Sequence, residues 1–175
     1  MNLWRRCCAL ILLLTVLGPA YADIHFGHSE DDDDEPKWQE GEVTLPAFPR
    51  EENLQEFYVS AATANHFYVD GNSIAVGSDG VVRYTLVVKT AGGATNTDFE
   101  GIRCGALETR LYAVGRSDGT WGKARASVWR PIENDAINRP QAALSRDYFC
   151  PNTIPIRSPE EGRDALRRGR HPDAK

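Results

Sequence analysis

Few residues in this 175-residue chain have the type and spacing to do chemistry. Its histidines are His25, His28, His66 and His171, and only His66 lies well inside the chain. No Gly-x-Ser-x-Gly elbow, His-Glu-x-x-His helix or phosphate-cradling glycine loop accompanies it. His66, in the Asn65-His66 turn, therefore reads as a solvated loop histidine. Asp98 and Glu100 stand two residues apart on a strand-like stretch. They are an example of a carboxylate pair from which acid–base hydrolysis could be built. A hydrolase using carboxylates around Glu100 is thus the catalytic alternative, although such pairs are common on strands that do no chemistry.

Which cysteines remain, and whether a histidine stands at position three of the processed chain, depend on where that chain begins. Met1 to Arg6 carries two positive charges and no acid, an apolar run follows from Cys7 to Leu17, and Ala20-Tyr21-Ala22 closes it. A basic head, a short apolar stretch and a small-x-small end predict a cleavable signal peptide over 1–22. The apolar run is shorter than the roughly 20 residues a membrane-spanning helix needs. Cleavage after Ala22 removes Cys7 and Cys8 and leaves Cys104 and Cys150. Two thiols in an oxidising compartment predict one disulfide, and a bridge closing a loop of that length contributes roughly 4 kcal/mol in the chain-entropy model. With both sulfurs bridged, no thiol nucleophile remains.

Cleavage there also exposes Asp23-Ile24-His25. A free amine, two backbone nitrogens and an imidazole at position three can offer four nitrogens in a plane, an arrangement suited to copper(II) or nickel(II). Asp23, Ile24 and His25 are accordingly a candidate N-terminal copper(II) site.

Charge divides the exported chain. Residues 23–56 hold 12 acids against 2 bases, whereas residues 57–175 hold 13 acids against 16 bases. The block Glu30 to Glu35 repels itself, so 23–37 is expected to be a disordered acidic arm. Order is expected from Trp38, with Leu45-Pro46-Ala47-Phe48-Pro49 laid as an extended segment on a single domain over 38–156. A C-terminal helix and tail, 157–175, complete the chain. Arg163, Arg167, Arg168 and Arg170 in that tail interleave with Glu160, Glu161 and Asp164, and the net charge is negative, which argues against nucleic acid.

From Leu54 the pattern is mainly β. Phe57-Tyr58-Val59, Phe67-Tyr68-Val69, Val81 to Lys89, Thr95 to Cys104, Leu107 to Gly115 and Lys123 to Trp129 read as strands between turn residues. A two-residue loop at Gly92-Gly93 would place Tyr84 opposite Gly101 and Thr85 opposite Glu100. Val82, Tyr84, Leu86 and Phe99 then share the core face, and Arg83, Thr85 and Glu100 the other, so that Arg83 and Glu100 form a cross-strand ion pair. A one-residue slip would exchange these faces. Helices are expected from an Asn138 cap through Phe149, and from Ser158-Pro159-Glu160-Glu161 to a stop at Gly169. The fold class is α+β: an antiparallel β-meander of about five or six strands with a C-terminal helix tied back by one disulfide.

Several blocks carry a family likeness: Trp38; Leu45-Pro46 with Phe48-Pro49; Phe67-Tyr68-Val69-Asp70; Asp79-Gly80-Val81-Val82-Arg83-Tyr84-Thr85; Glu100-Gly101-Ile102-Arg103-Cys104; Tyr112-Ala113; Trp121; Trp129; and Arg146-Asp147-Tyr148-Phe149-Cys150-Pro151. Over about residues 38–151 they resemble the cryptic neisserial protein-like family. The resemblance implies an exported envelope protein of proteobacteria and carries no catalytic residues across. In layout alone, the order from Val69-Asp70 through Trp129-Arg130-Pro131-Ile132 to Cys150 is similar to surface-adhesin E type domains, which suggests binding. The expected function is therefore that of an exported cell-envelope domain, in the periplasm or at the outer membrane, that binds a protein or another envelope component.

Overall fold

The computed structural model describes residues 37–133 and 139–175. The expected signal peptide, the acidic arm up to Pro36, the Asp23-Ile24-His25 motif and the Asn138 cap lie outside the described residues. The architecture is the expected α+β one. An antiparallel sheet contains β1 (Leu54–Phe57), β2 (His66–Asp70), β3 (Ala75–Val76), β4 (Val81–Lys89), β5 (Thr95–Arg103), β6 (Glu108–Gly115), β7 (Trp121–Lys123) and β8 (Arg130–Pro131). Its path is β1-β2-β4-β5-β6-β7, with β3 paired to β4 and β8 to β6. Then come α1 (Arg139–Ala143), a π-helical turn over Leu144–Phe149, and α2 (Pro159–Arg168). Among the described residues no helix is long and apolar enough to cross a membrane.

The β4–β5 hairpin differs from the expected register by one residue. Thr90 donates to the Ala94 carbonyl (2.8 Å) and Gly93 to the Thr90 carbonyl (2.9 Å), so the loop has three residues, Ala91-Gly92-Gly93. Gly93 adopts φ +86°, the left-handed position that closes such loops. Tyr84 therefore faces Glu100, Thr85 faces Phe99 and Arg83 faces Gly101. Phe99 and Glu100 exchange faces relative to the two-residue loop. The expected Arg83–Glu100 ion pair does not form, because direct partners share a face and Arg83 is one residue off Tyr84.

A second correction concerns the last long strand. Lys123 to Trp129 is not continuous: β7 ends at Lys123 and pairing resumes only at Arg130. The cause is a bulge in β6, where Phe99 pairs with Ala113 but Glu100 with Leu111, which leaves Tyr112 as the extra residue. The ladder breaks at the kink: Ala124 still donates to the Tyr112 carbonyl (3.4 Å), and residues 125–129 lie outside it.

The central strands are covered on both sides. On one side Val82, Tyr84, Leu86 and Ile102 pack with Leu144, Tyr148, Phe149, Ile156 and Leu166 from the C-terminal third. The Cys104–Cys150 disulfide, with Cα atoms 5.3 Å apart, ties the end of β5 to the end of the π turn. α2 starts as expected: Ser158 accepts from the Glu161 N–H, Pro159 is the first helical residue, and Gly169 ends the helix at φ +74°. Gly162 allows the close approach, since a Cβ there would meet Ile156 Cδ1 at 2.7 Å. On the other side of the sheet lies an irregular strap, residues 38–50. Trp121 donates its indole N–H to the Pro46 carbonyl (2.9 Å), and its ring packs against Phe48.

Candidate functional site

Three polar or concave features follow from this layering. The first surrounds Glu100, which is only 6% exposed on the helix side. The Tyr84 hydroxyl donates to its Oε2 (2.8 Å), and Gln141 Nε2 from α1 lies 2.9 and 3.0 Å from its two oxygens. Burial raises the Glu100 carboxyl to about 7, with the neighbouring charge of Asp98 adding to it against the two hydrogen bonds. Burial also raises Asp98 and carries the Tyr84 phenol well above its ordinary value. Two carboxyls with raised affinity for protons do stand together. Yet both Glu100 oxygens are engaged, and neither carboxyl lines any of the five clefts described for the structure.

The second feature is an ionic network under the strap, and it contains the true partners of Arg83. Arg83 donates to both oxygens of Asp79 (3.2 and 2.6 Å) and lies 3.6 Å from Glu40. Asp79 also accepts from the Gly41 N–H (2.8 Å) and the Val81 N–H (3.1 Å). Burial alone would raise this carboxyl, but the Arg83 guanidinium and those two amides hold it at about 2. Glu40 takes hydrogen bonds from Tyr112 (2.5 Å), Arg110 and the Trp129 indole (3.3 Å). The Arg103 guanidinium stacks 4.2 Å from the Trp38 ring centre, and the Trp38 indole donates to the Asp79 carbonyl (2.8 Å). The carboxylates of Asp79 and Glu40 and the terminal nitrogens of Arg83 find partners within the domain, while Arg83 Nε and Arg103 Nε are buried without one; the network fastens the strap.

The third feature is a cleft of about 340 Å³ beside the disulfide, lined mainly by apolar atoms of Leu107, Ile132, Ala142 and Cys150, with Ser145, Arg146, Asn152, Thr153 and Lys175. Among the described residues, Leu107 (φ 52°), Asn152 (φ 54°) and Thr153 (φ 64°) are the non-glycine residues at positive φ, and all three line this cleft. The π turn supplies its wall through Ser145 and Arg146. Left-handed non-glycine residues and π turns both concentrate at functional sites. Leu107 is 46% exposed at the rim.

The histidines contribute to none of these. His66 opens β2 with its ring exposed and paired to Glu56 (2.7 Å). His171 is buried between Glu161 (3.0 Å) and the Asp173 N–H, pinning the tail to α2. Among the described residues no group of three or more His, Cys, Asp or Glu could hold a metal ion.

A protein-family model described as the CNP1-like family matches residues 33–167. The chain belongs to that family. The match agrees with the resemblance to the cryptic neisserial protein-like family and extends through most of α2. No curated protein and no solved structure matches the chain. Nothing in these comparisons supports the likeness to surface-adhesin E domains.

The span matched by the family model contains all the features just described except Lys175 and the tail. The block Asp79 to Thr85 carries the ionic network and the Tyr84 phenol. Glu100 to Cys104 carries the buried acid and one disulfide sulfur, and Arg146 to Pro151 carries the other sulfur and one wall of the cleft. Sequence reasoning missed Glu40, Asp79, Gln141 and Leu107. Only Asp79 left a local signal, as the acid of a turn four residues before Arg83.

Proposed function

We propose that the chain is an exported cell-envelope domain that acts by binding a protein, which inserts an apolar side chain into the cleft beside the disulfide. The observation that carries the reading is the cleft itself: apolar walls, an exposed leucine at the rim, and three left-handed non-glycine residues around it. Two cationic side chains, Arg146 and Lys175, stand among its polar residues, Arg146 being already paired with Asp147. Export rests on the signal pattern over 1–22 and is compatible with the disulfide.

Two measurements test this. Mass spectrometry of protein from fractionated cells is expected to find an N-terminus at Asp23 in the periplasm or outer membrane. An intact Met1 in the cytoplasm overturns the export reading. The same N-terminus decides whether Asp23, Ile24 and His25 can present copper(II) or nickel(II) with a free amine. A photo-crosslinking residue at Leu107 is expected to yield a discrete protein adduct in intact cells, lost when Ala142→Trp fills the cleft. An identical probe at exposed Tyr58 serves as the control. Equal adducts from both positions, or none, remove the binding site from the cleft.

A hydrolase at Glu100 is the second reading, favoured by the raised carboxyls of Glu100 and Asp98. It requires substrate to reach a side chain that is 6% exposed and occupied by Tyr84 and Gln141. Hydrolysis of generic ester or glycoside substrates that is lost in Glu100→Gln would establish it.

A further inference from the structure

We propose that Glu100 is held as a neutral acid in a reciprocal acid–amide pair with Gln141, and that losing its proton loosens α1, making the pair a pH-sensitive latch on the wall of the cleft. The geometry starts from an orphan. Gln141 is 8% exposed, its Nε2 serves both Glu100 oxygens, and its Oε1 is buried with no hydrogen-bond partner. A carboxylate cannot relieve that orphan, because an ionised carboxyl only accepts.

A protonated Glu100 can. With the proton on Glu100 Oε1, that O–H donates to Gln141 Oε1. Gln141 Nε2 donates to Glu100 Oε2, which also accepts from Tyr84. Every polar atom of the cluster is then paired, which a buried site requires. The rearrangement needs only a rotation of the amide, whose two ends are nearly isosteric. On ionisation the proton leaves to solvent, the orphan returns, and a buried charge faces it.

The groups around Glu100 set the direction of this response. On β5 the facing charge is Asp98, two residues along the same face. From β4 it is the Tyr84 phenol, and from β6 the direct partner is apolar Leu111. α1 presents the Gln141 amide. No cation appears among the influences on the Glu100 carboxyl; only the hydrogen bonds from Gln141 and Tyr84 favour its charge, and burial with the charge of Asp98 outweighs them. Behind Gln141, Ala142 lines the cleft, so release of α1 moves a wall of the proposed binding site. Only that consequence depends on the binding reading.

Hydrogen exchange of the full disulfide-bonded chain tests the latch without any partner. Opened, Glu100 titrates at its ordinary value of 4.5; latched, it titrates near 7. The opening constant for peptides spanning Arg139–Leu144, corrected for intrinsic exchange, is expected to rise about tenfold per pH unit between these limits and then level off. Glu100→Gln is expected to be flat across the window. Asp98→Asn is expected to keep the slope but level off at lower pH, since one neighbouring charge is gone. A flat wild-type profile, or a Glu100→Gln variant that keeps the wild-type slope, overturns the proposal. If Glu100→Gln does not fold, an Asp98→Asn profile superimposed on the wild type overturns it as well. The Leu107 crosslink reads the binding site separately, so failure of one assay leaves the other intact.

Discussion

On the helix side of β4 and β5 the buried polar groups are an acid, a phenol and an amide, packed among apolar side chains. On the strap side they are Arg83, Arg110, Asp79 and Glu40, joined by charge-assisted bonds. The same two strands thus present a neutral layer and an ionic layer, one residue apart in phase. The difference teaches how each cover is held. The C-terminal third has a large apolar surface and a disulfide, and its buried contact with β4 and β5, at Glu100, contains no cation. The strap has no regular structure, and its few rings are supplemented by ion pairs that replace the ladder bonds it lacks. Titration should therefore destabilise the two layers in opposite directions.

The ionic layer is broken most severely by Arg83→Met. Asp79 and Arg83 side chains are 4% and 7% exposed, so removing the guanidinium strands a buried carboxylate. The expected cost is about 3–5 kcal/mol, by denaturant unfolding. Replacing Asp79 by Asn in the same chain is expected to recover much of it, because the uncompensated charge is gone. A single-variant cost below about 1 kcal/mol would show that the strap is held by its rings alone.

Reduction of Cys104–Cys150 is expected to cost the helix-side layer about 4 kcal/mol, since the bridge closes a long loop. Exchange protection should fall first in α1 and the π turn. If it falls first in the strap, the two layers are not independent.

The pH response sharpens the contrast. Glu100 has a folded value raised from 4.5 to about 7, so its stabilising contribution is full below 4.5 and is lost as pH rises to about 7. That loss amounts to about 3 kcal/mol, and Glu100→Gln is expected to remove it. Asp79 is depressed from 3.8 to about 2, so its contribution is full above 3.8 and is lost as pH falls toward 2, by about 2 kcal/mol. Between these slopes lies a stability maximum near pH 4–5. Calorimetric midpoints measured across pH check it: a maximum at neutral pH would contradict the Glu100 assignment, and no loss of stability between pH 4 and 2 would contradict that of Asp79.

Which parts of this picture were legible beforehand follows from how local their causes are. Ser158, Pro159, Glu161 and Gly169 specify α2 within twelve residues, and the structure uses each of them as expected. The disulfide followed from a count of cysteines. The face of Glu100, by contrast, hung on whether Gly92-Gly93 or Ala91-Gly92-Gly93 makes the loop, and both options place a glycine where left-handed backbone is needed. That single residue turned an expected cross-strand ion pair into a buried acid hydrogen-bonded to Tyr84 and Gln141. Glu40 and Gln141 are distant in sequence from their partners and reach them only through tertiary packing, so no spacing could announce them. The cleft depends on left-handed Leu107, Asn152 and Thr153, residue types that do not ordinarily signal that conformation.

The smallest effect expected is Ser158→Ala, about 1 kcal/mol. Ser158 Oγ accepts from the Glu161 N–H (3.3 Å), one of the N–H groups left free at a helix start. Glu161 reaches back to the Arg157 N–H (2.6 Å), so part of the start survives the change. The middle of α2 is fixed independently by Ala165 and Leu166 in the core and by Arg163 donating to the Gly71 carbonyl (3.0 Å). The variant should therefore fray only the first turn, raising exchange at Glu160 and Glu161 and leaving Leu166 protected. Loss of protection throughout α2 would mean that the helix depends on its cap rather than on the neutral layer beneath it.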